Sequence, residues 1–200
     1  MGTPSSEYAQ VSSPRNRHSL PGNECRLSND GLVHSFSSGV FVSCFNLRRA
    51  VPDDRDRLVD IWWRSARATH HFVSARDFET LLPRVRALRL ETLQTWVLCV
   101  SHSEAIGFLV MEGRAVDALF IAPEWQRSGG GARLIRQARQ MAERLTVEVN
   151  EQNSAALAFY RAQGFEIVGR SVTDRSGLPY PLLHLEESAD APARRRQSHS

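Results

Sequence analysis

The chain has 200 residues, of which 42% are hydrophobic and 24% are charged, a composition typical of a globular protein rather than a disordered or fibrous one. No stretch approaches the ~18–20 consecutive apolar residues of a membrane-spanning helix, and three cysteines (Cys25, Cys44 and Cys99) are too few for a disulfide framework or a zinc site. The formal net charge is +3, and all 25 basic residues are arginine. They form no stripe with interleaved aromatic residues, so we expect no nucleic-acid partner, no membrane association and a reduced, cytoplasmic setting.

The two ends of the chain differ in composition from its middle. Residues 1–43 are rich in serine and turn-forming residues and show no sustained period of 2 or 3.6, so we expect a disordered extension or residues added by an upstream start codon. Residues 188–200 are polar and contain the run Arg194–Arg196, which predicts a flexible tail. The sequence therefore predicts one folded domain over residues 44–187.

Hydrophobic periodicity predicts the elements of this domain. The predicted strands are Phe45–Arg49, Trp96–Val100, Ile106–Met111, Val116–Ile121, Thr146–Val149, Phe165–Thr173 and Leu182–Glu186. Three of the predicted helices run from Pro52 to about His71, from Ala75 to about Leu90 and over Ser154–Ala162. A fourth, long helix starts after the turn Ser128–Gly131, and one of its faces is marked by Leu134, Ala138, Met141 and Leu145. The order β-α-α-β-β-β-α-β-α-β-β is typical of a mixed α/β (α+β) sheet with helices on both faces.

A glycine-rich turn follows the strand Val116–Ile121 and leads into a long predicted helix. Pro123 prevents simple continuation of the strand, and the residues that come next are Gln126, Arg127, Ser128, Gly129, Gly130 and Gly131. Glycines allow consecutive backbone N–H groups to converge on one point, and a helix N-terminus adds about half a positive charge. Together they predict an anion site suited to a pyrophosphate.

Three kinds of phosphate-binding loop can be compared with this turn. A Walker loop ends in Gly-Lys-Ser/Thr, and this chain has no lysine. A dinucleotide-binding loop has the spacing G-x-G-x-x-G and an acidic residue about 20 residues later, which fits three adjacent glycines poorly. The third pattern, Q/R-x-x-G-x-G/A between a strand and a helix, fits the run from Gln126 to Gly131.

This turn and a second segment resemble the GNAT superfamily of acyl-CoA-dependent N-acetyltransferases. The second segment is Val149–Phe165, where an asparagine, a short alanine-rich helix and the residues F-Y-x-x-x-G-F follow one another. The resemblance covers about Phe45–Glu186. Two further segments, Ala68–Phe72 (A-T-H-H-F) and Gly177–Leu183 (G-L-P-Y-P-L-L), are similar to the YjaB-like bacterial branch.

The resemblance implies a GNAT fold with a mostly antiparallel sheet of six to seven strands, and acetyl-CoA as the acyl donor. It implies direct transfer, in a ternary complex, to a primary amine of a small molecule or a protein N-terminus, and homodimers are common in the family. The cofactor-binding residues would be Phe120, Ile121 and Ala122 for pantetheine, Gln126 to Gly131 for the pyrophosphate, and Asn153 for pantetheine or phosphate. Tyr160 would be the general acid, unless it is an ordinary half-buried tyrosine.

The general base is less well determined by the sequence. Attack on a thioester needs an amine without its proton, so a carboxylate near the cleft is expected. Glu148 is the first candidate, although a register shift of one residue would turn it to solvent, and Asp117 is the second. His70 and His71 end the first helix, where they cap it or line the acceptor entrance.

Other residues have alternative interpretations. Trp62 fits the core stripe of the first helix, whereas Trp63 lies off it and could border the acceptor cleft, and Tyr180 could shape the acceptor pocket. Cys99 lies in the middle of an apolar strand and is expected in the core rather than as a nucleophile. The alternative function is a non-catalytic module that binds or senses acyl-CoA.

Overall fold

Seven strands and four α-helices form the part of the chain that we describe, which is residues 45–87, 93–100 and 104–188 of a computed structural model. In chain order they are β1 (Phe45–Arg49), α1 (Arg55–Thr69), α2 (Ala75–Ala87), β2 (Gln94–Val100), β3 (Glu104–Glu112), β4 (Ala115–Ile121), α3 (Gly130–Met141), β5 (Thr146–Asn150), α4 (Ser154–Ala162), β6 (Phe165–Ser171) and β7 (Leu182–Glu187). Short 3-10 turns precede α1 (Pro52–Asp54) and α3 (Pro123–Trp125). The predicted order of elements is confirmed.

The strands form one mixed sheet in the order β1-β2-β3-β4-β5-β7-β6. The pair β4 and β5 is parallel, and all other neighbouring strands are antiparallel. The expected mostly antiparallel sheet is therefore confirmed, with seven strands. The single parallel pair lies near the middle of the sheet, and one of its two strands, β4, leads into the glycine-rich turn.

Different helices cover the two faces of the sheet, as predicted. On one face, α3 and α4 contribute to a buried cluster with alternate strand residues; its members include Leu109, Val147, Leu134, Ile135, Ala138 and Tyr160. On the other face, α1 and α2 pack on the intervening strand residues; this cluster includes Leu58, Ile61, Trp62, Phe78, Val97, Cys99 and Phe108. The alternation follows from the period of two along a strand.

The turn into α1 is fixed by an ion pair. Arg48 donates to both carboxylate oxygens of Asp54, at 2.6 Å each, and Asp54 Oδ2 also accepts the N–H of Val51 at 2.9 Å. Asp54 is 8% exposed. The hydrogen bonds from Arg48 lower the pKa of the Asp54 carboxyl, and the same bonds raise the pKa of Arg48.

Two features of the helices differ from simple periodicity. The sequence predicts Leu145 on the buried face of the helix that follows the glycine-rich turn. This prediction is wrong, because α3 ends at Met141 and the backbone of Ala142 is extended (φ −144°, ψ 154°). Leu145 is fully buried directly before β5, and its N–H donates to the Glu187 carboxylate at 3.1 Å. In α2, Pro83 lies inside the helix and does not end it.

Several predictions fall on residues outside the described ranges. These are the extension over residues 1–43, the end of the second helix near Leu90, and all but the first residue of the tail over 188–200. Within the described ranges, no helix is long and apolar enough to cross a membrane.

Candidate active site

The strands β4 and β5 separate after two residue pairs. Ala115–Val116 pairs with Thr146–Val147, and beyond them no residue of β4 pairs with β5, although β4 continues to Ile121. Asp117, the first β4 residue beyond the pairs, is a bulge in the ladder with β3. The opening between the two strands, here called the β4–β5 gap, therefore starts at Asp117 on one side and at Glu148 on the other.

Backbone groups of β4 line this gap. The N–H of Ala122 donates to the carbonyl of Ile106 on β3 at 2.8 Å. Backbone groups of successive residues in an antiparallel pair alternate between the two sides of the strand. Those of Leu119 and Ile121 therefore face the gap, whereas those of Phe120 and Ala122 face β3. Of the three residues predicted to offer backbone groups to pantetheine, Ile121 is the one so oriented.

The predicted anion site lies where β4 leads through a 3-10 turn into α3. Arg127 (φ 60°) and Gly129 (φ 88°) both adopt the left-handed conformation, and Gly129 is the N-cap of α3. Residues 126–129 are exposed, and the Ser128 hydroxyl donates to the carbonyl of Trp125 at 2.6 Å. The first N–H groups of α3 have no intrahelical acceptor, so this turn presents several donors and the positive end of the helix dipole to solvent.

The last two glycines of the turn permit close packing. A Cβ on Gly130 would lie 2.6 Å from Leu98 Cδ2, so the buried Leu98 side chain would have to shift to accept it. A Cβ on Gly131 would lie 3.1 Å from the Phe159 ring of α4. The start of α3 is therefore held against the sheet on one side and against α4 on the other.

Tyr160 lies on α4, in the core cluster of the α3–α4 face. It is 6% exposed, and its ring packs edge-on against Phe159 (5.0 Å between centroids) and Phe165 (5.4 Å). Burial raises the pKa of its hydroxyl above the ordinary value of 10. The phenol is therefore protonated at neutral pH and can act as a proton donor.

Asn153 has a structural task at the start of the same helix. It is the N-cap of α4, and its Oδ1 accepts the N–H of Ala156 at 3.0 Å. It is buried, with 8% of its surface exposed, and follows the end of β5 by three residues. Its side-chain oxygen is thus committed to the helix, and its amide N–H₂ is the part that could meet a ligand.

Glu148 lies on the α1–α2 face of the sheet, in a network of charged groups. Its Oε2 accepts the Nε–H of Arg175 at 2.7 Å, and its Oε1 lies 3.3 Å from Nδ1 of His184, the residue directly opposite on β7. Arg175 also donates to Asp117 Oδ1 at 2.7 Å, and His184 Nε2 lies 2.7 Å from the Ser171 hydroxyl. The bond to Glu148, with a smaller contribution from Asp117, raises the pKa of Arg175.

A cavity of about 250 Å³ adjoins this network, and Glu148, Arg175 and His184 belong to its lining. The two carboxylates that the sequence proposed as alternative bases thus meet at one place. They lie at the closed end of the β4–β5 gap, whereas the anion site lies at its open end.

The loop between α1 and α2 meets the loop between β6 and β7. Tyr180 is fixed by hydrogen bonds to Asp77 and Ser74, and its ring packs on Phe72 at 6.1 Å.

His70 is the C-cap of α1, with Nδ1 3.2 Å from the carbonyl of Ala66, and burial lowers the pKa of its imidazole. The capping interpretation of His70 is therefore confirmed, while His71 is exposed.

The family follows from a comparison of the chain with known proteins. A model of the acetyltransferase (GNAT) domain matches residues 68–181. The chain belongs to the GNAT acetyltransferases. It is 41% identical to peptidyl-lysine N-acetyltransferase YjaB of Escherichia coli over 140 residues, which cover 70% of this chain and 95% of YjaB. It is 34% identical to peptidyl-lysine N-acetyltransferase YiaC of the same organism over 134 residues, covering 66% and 91% of the two chains.

Solved structures of GNAT proteins share the fold. The solution structure of apo YjaB has a TM-score of 0.68 at 40% identity and covers 72% of this chain and 97% of its own. PaiA N-acetyltransferase from Thermoplasma acidophilum, solved with coenzyme A, has a TM-score of 0.60 at 19% identity, with coverage of 72% and 99%. The resemblance to the GNAT family and its YjaB-like branch, the fold and the enzyme class are thereby confirmed.

Some predicted residues of this GNAT protein lie apart from the gap. Trp63 lines a cavity of about 290 Å³ between α1 and α2, beneath the Arg67 guanidinium, which lies 5.2 Å from its ring. Trp62 and Cys99 are buried in the core, as expected.

Sequence reasoning missed Arg175 and His184. Arg175 lies in a loop that has no hydrophobic periodicity. The Asp174 carboxylate accepts the N–H groups of Ser176 and Leu178 there, so the residues D-R-S-G could predict a turn but not a role for Arg175. His184 could have been found from strand alternation, once β7 was paired with β5.

Proposed function

We propose that this GNAT acetyltransferase transfers the acetyl group of acetyl-CoA to the side-chain amine of a lysine in a protein acceptor, by direct attack in a ternary complex. The observation that carries the proposal is the β4–β5 gap, with an anion site at its open end and two carboxylates at its closed end. A lysine acceptor is supported by the names of two relatives, YjaB and YiaC, both called peptidyl-lysine N-acetyltransferases.

The residues that line the gap fit an extended acyl-CoA. The glycine turn offers backbone donors and a helix N-terminus to a pyrophosphate, and Leu119 and Ile121 offer backbone groups to an amide-containing arm laid along β4. The cofactor, when bound, supplies an activated acetyl thioester. At about 3.4 Å per residue, β4 runs from the anion site toward Asp117 and Glu148, so an arm along it leads to the carboxylates.

The chain's own residues handle the protons and the developing charge. An alkyl amine with a pKa near 10.4 is only about 0.04% neutral at pH 7, so the Glu148 carboxylate takes the proton that the amine must lose. The backbone N–H of Leu119, the gap-facing residue of β4 nearer the two carboxylates, stabilises the carbonyl oxygen as it becomes negative. The Tyr160 hydroxyl donates its proton to the departing sulfur.

Glu148 and Tyr160 belong to opposite faces of the sheet. Glu148 is on the face of α1 and α2, with His184 and Arg175, and Tyr160 is in the core cluster of α3 and α4. The β4–β5 gap is the passage through which groups from both faces can reach one thioester. The acceptor therefore approaches from the α1–α2 face.

The proposal differs from two alternatives that the sequence left open. An N-terminal amine or a small-molecule amine would use the same gap, and a non-catalytic module would bind acyl-CoA without turnover. The cytoplasmic location and a homodimer remain predictions from the sequence.

Two matched peptides separate these possibilities. One has a blocked N-terminus and a single lysine, and the other has a free N-terminus and arginine in place of that lysine. Because the protein contains no lysine, every ε-acetyl-lysine found by mass spectrometry comes from the acceptor. We expect acetylation of the first peptide. Acetylation of the second peptide alone would favour an N-terminal acceptor, and acetyl-CoA binding without acetylation of either peptide, or of free small amines, would favour the sensing module.

A further inference from the structure

The Arg175 side chain occupies the closed end of the β4–β5 gap. It reaches from the loop between β6 and β7 and donates to Glu148 Oε2 and Asp117 Oδ1, at 2.7 Å each. Its side chain is 59% exposed, and the two carboxylates are 29% and 34% exposed. A cation on a long flexible arm is therefore held between two carboxylates at a position that solvent reaches.

This position is where the proposed reaction needs a different cation. The acceptor lysine arrives as an ammonium, again a cation on a long apolar arm, and it must come within reach of Glu148. While Arg175 is in place, Glu148 Oε2 is already accepting a hydrogen bond, and Oε1 faces His184. The acceptor and Arg175 thus compete for the same oxygen atoms.

We propose that Arg175 is a removable occupant of the acceptor site, and that the Asp117–Glu148 pair binds the ammonium of the acceptor amine once Arg175 has left. This inference rests on the proposed function and names the place where its acceptor binds. Two observations carry it: the guanidinium is seated between carboxylates from two separating strands, and this ion-pair network lies at the closed end of the gap. The adjoining cavity lies over the last paired residues, Val116 and Val147, so there is open space beside the guanidinium.

Competition lowers the apparent affinity for the acceptor by the fraction of molecules in which the site is open. The ion pairs are partly exposed, so each contributes modestly, and the arginine is displaceable. We expect that replacing Arg175 with methionine, which keeps the arm and removes the charge, lowers the KM for a lysine peptide roughly 3- to 10-fold. The KM for acetyl-CoA should not change.

A sharper test uses the absence of lysine from this chain. Arg175→Lys puts a primary amine between the two carboxylates, so we expect acetyl-CoA to acetylate it within the same molecule. In that step an N–C bond forms between the amine and the acetyl carbonyl carbon and the C–S bond breaks. CoA leaves as the thiol, and one proton of the ammonium passes to solvent. Intact-mass and peptide-mapping mass spectrometry would locate one acetyl group at position 175.

Arg170 provides the matched control. It forms a two-bond ion pair with Glu151, at 2.9 and 2.7 Å, and is similarly exposed, but it lies on β6, away from the gap. Arg170→Lys should remain unacetylated, and Arg170→Met should leave the peptide KM unchanged. Thermal unfolding of each variant checks that the fold is retained.

The outcomes separate this inference from the proposed function. If Arg175→Lys is acetylated at position 175 and Arg170→Lys is not, the site assignment holds even if no lysine peptide is a substrate. Equal acetylation of both variants, or acetylation of neither by a protein that acetylates peptides, would overturn it. A fall in kcat for Arg175→Met without a lower peptide KM would also overturn it, because Arg175 would then position Glu148 rather than compete with the acceptor.

Discussion

The hydroxyl of Tyr180 donates a hydrogen bond to Oδ2 of Asp77, 2.5 Å away across 103 residues of chain. The same hydroxyl accepts the N–H of Ser74 at 3.1 Å, and the Ser74 side chain donates to Asp77 at 2.8 Å. These bonds fix the β6–β7 loop, which carries Arg175, to the start of α2. They also lower the pKa of Asp77, the bond from Tyr180 having the larger effect.

Removing this link should affect the acceptor and not the cofactor. Tyr180→Phe keeps the ring contact with Phe72 and loses only the hydroxyl. We expect the KM for the acceptor to change at least twofold, with the KM for acetyl-CoA unaltered, because the loop borders the acceptor side of the gap. Steady-state kinetics with each substrate varied in turn would measure both values. An equal change in the two KM values would contradict a role confined to the acceptor.

The anion site can be tested by a change of charge at constant shape. Gly131→Asp and Gly131→Asn both push a Cβ toward Phe159, so their packing effects should match. The aspartate adds a negative charge where we expect the pyrophosphate. Calorimetric titration with acetyl-CoA should give at least about tenfold weaker binding for Gly131→Asp than for Gly131→Asn at low salt, and a smaller ratio at high salt. Equal affinities of the two variants would place the pyrophosphate elsewhere.

The proposed acid can be tested through the rate and its pH dependence. Tyr160→Phe should retain acetyl-CoA binding and lose roughly 10²-fold or more in kcat, because the sulfur then departs without a proton donor. Burial raises the pKa of Tyr160, so its hydroxyl stays protonated through pH 10. We therefore expect no alkaline fall in kcat from this residue up to that pH. A kcat within twofold of wild type would leave Tyr160 with a packing role only.

The pair Arg48–Asp54 predicts a pH-dependent stability. The pKa of Asp54 is lowered in the folded protein, so its contribution is fully present above its unfolded pKa of about 3.9 and is lost as pH falls through the folded value. Asp54→Asn should lower the free energy of unfolding by about 1–3 kcal/mol at pH 7. Urea unfolding would measure this difference.

The same comparison at low pH provides the control for this pair. Near pH 3 the difference between wild type and Asp54→Asn should be smaller than at pH 7, because the carboxyl of the unfolded chain is then mostly protonated and must lose its proton on folding. A difference that is the same at both pH values would show that the carboxylate charge contributes nothing.

Local sequence patterns predicted the elements well, for physical reasons. The strand Phe45–Arg49 and the helix Ser154–Ala162 have the predicted bounds. The helix is delimited by its N-cap Asn153 and by Gly164, which follows it, so its ends are marked in the sequence. Leu145 shows where this reasoning fails. It continues the helical spacing of Met141, but α3 has already ended, and its N–H donates to Glu187, which lies 42 residues away in the sequence.

The candidate site was predictable only in part. The glycine turn is contiguous, so its sequence carries its own signal. The network around Glu148 joins residues from β4, β5, β7 and a loop, and its geometry depends on strand order and on the point where β4 and β5 separate. Strand alternation could predict which face of the sheet Glu148 lies on. It could not predict that Arg175, in the loop between β6 and β7, donates a hydrogen bond to Glu148.

The separation of β4 from β5 also has a mechanical consequence. Backbone pairing divides the sheet into a four-stranded block, β1 to β4, and a three-stranded block, β5 to β7, which are joined by two residue pairs. A ligand that bonds to the exposed edge of β4 takes the place of a missing strand. Binding of a ligand in the gap should therefore slow amide hydrogen exchange at Leu119 and Ile121. It should also reduce the motion of the two blocks relative to each other, so that they behave as one continuous sheet.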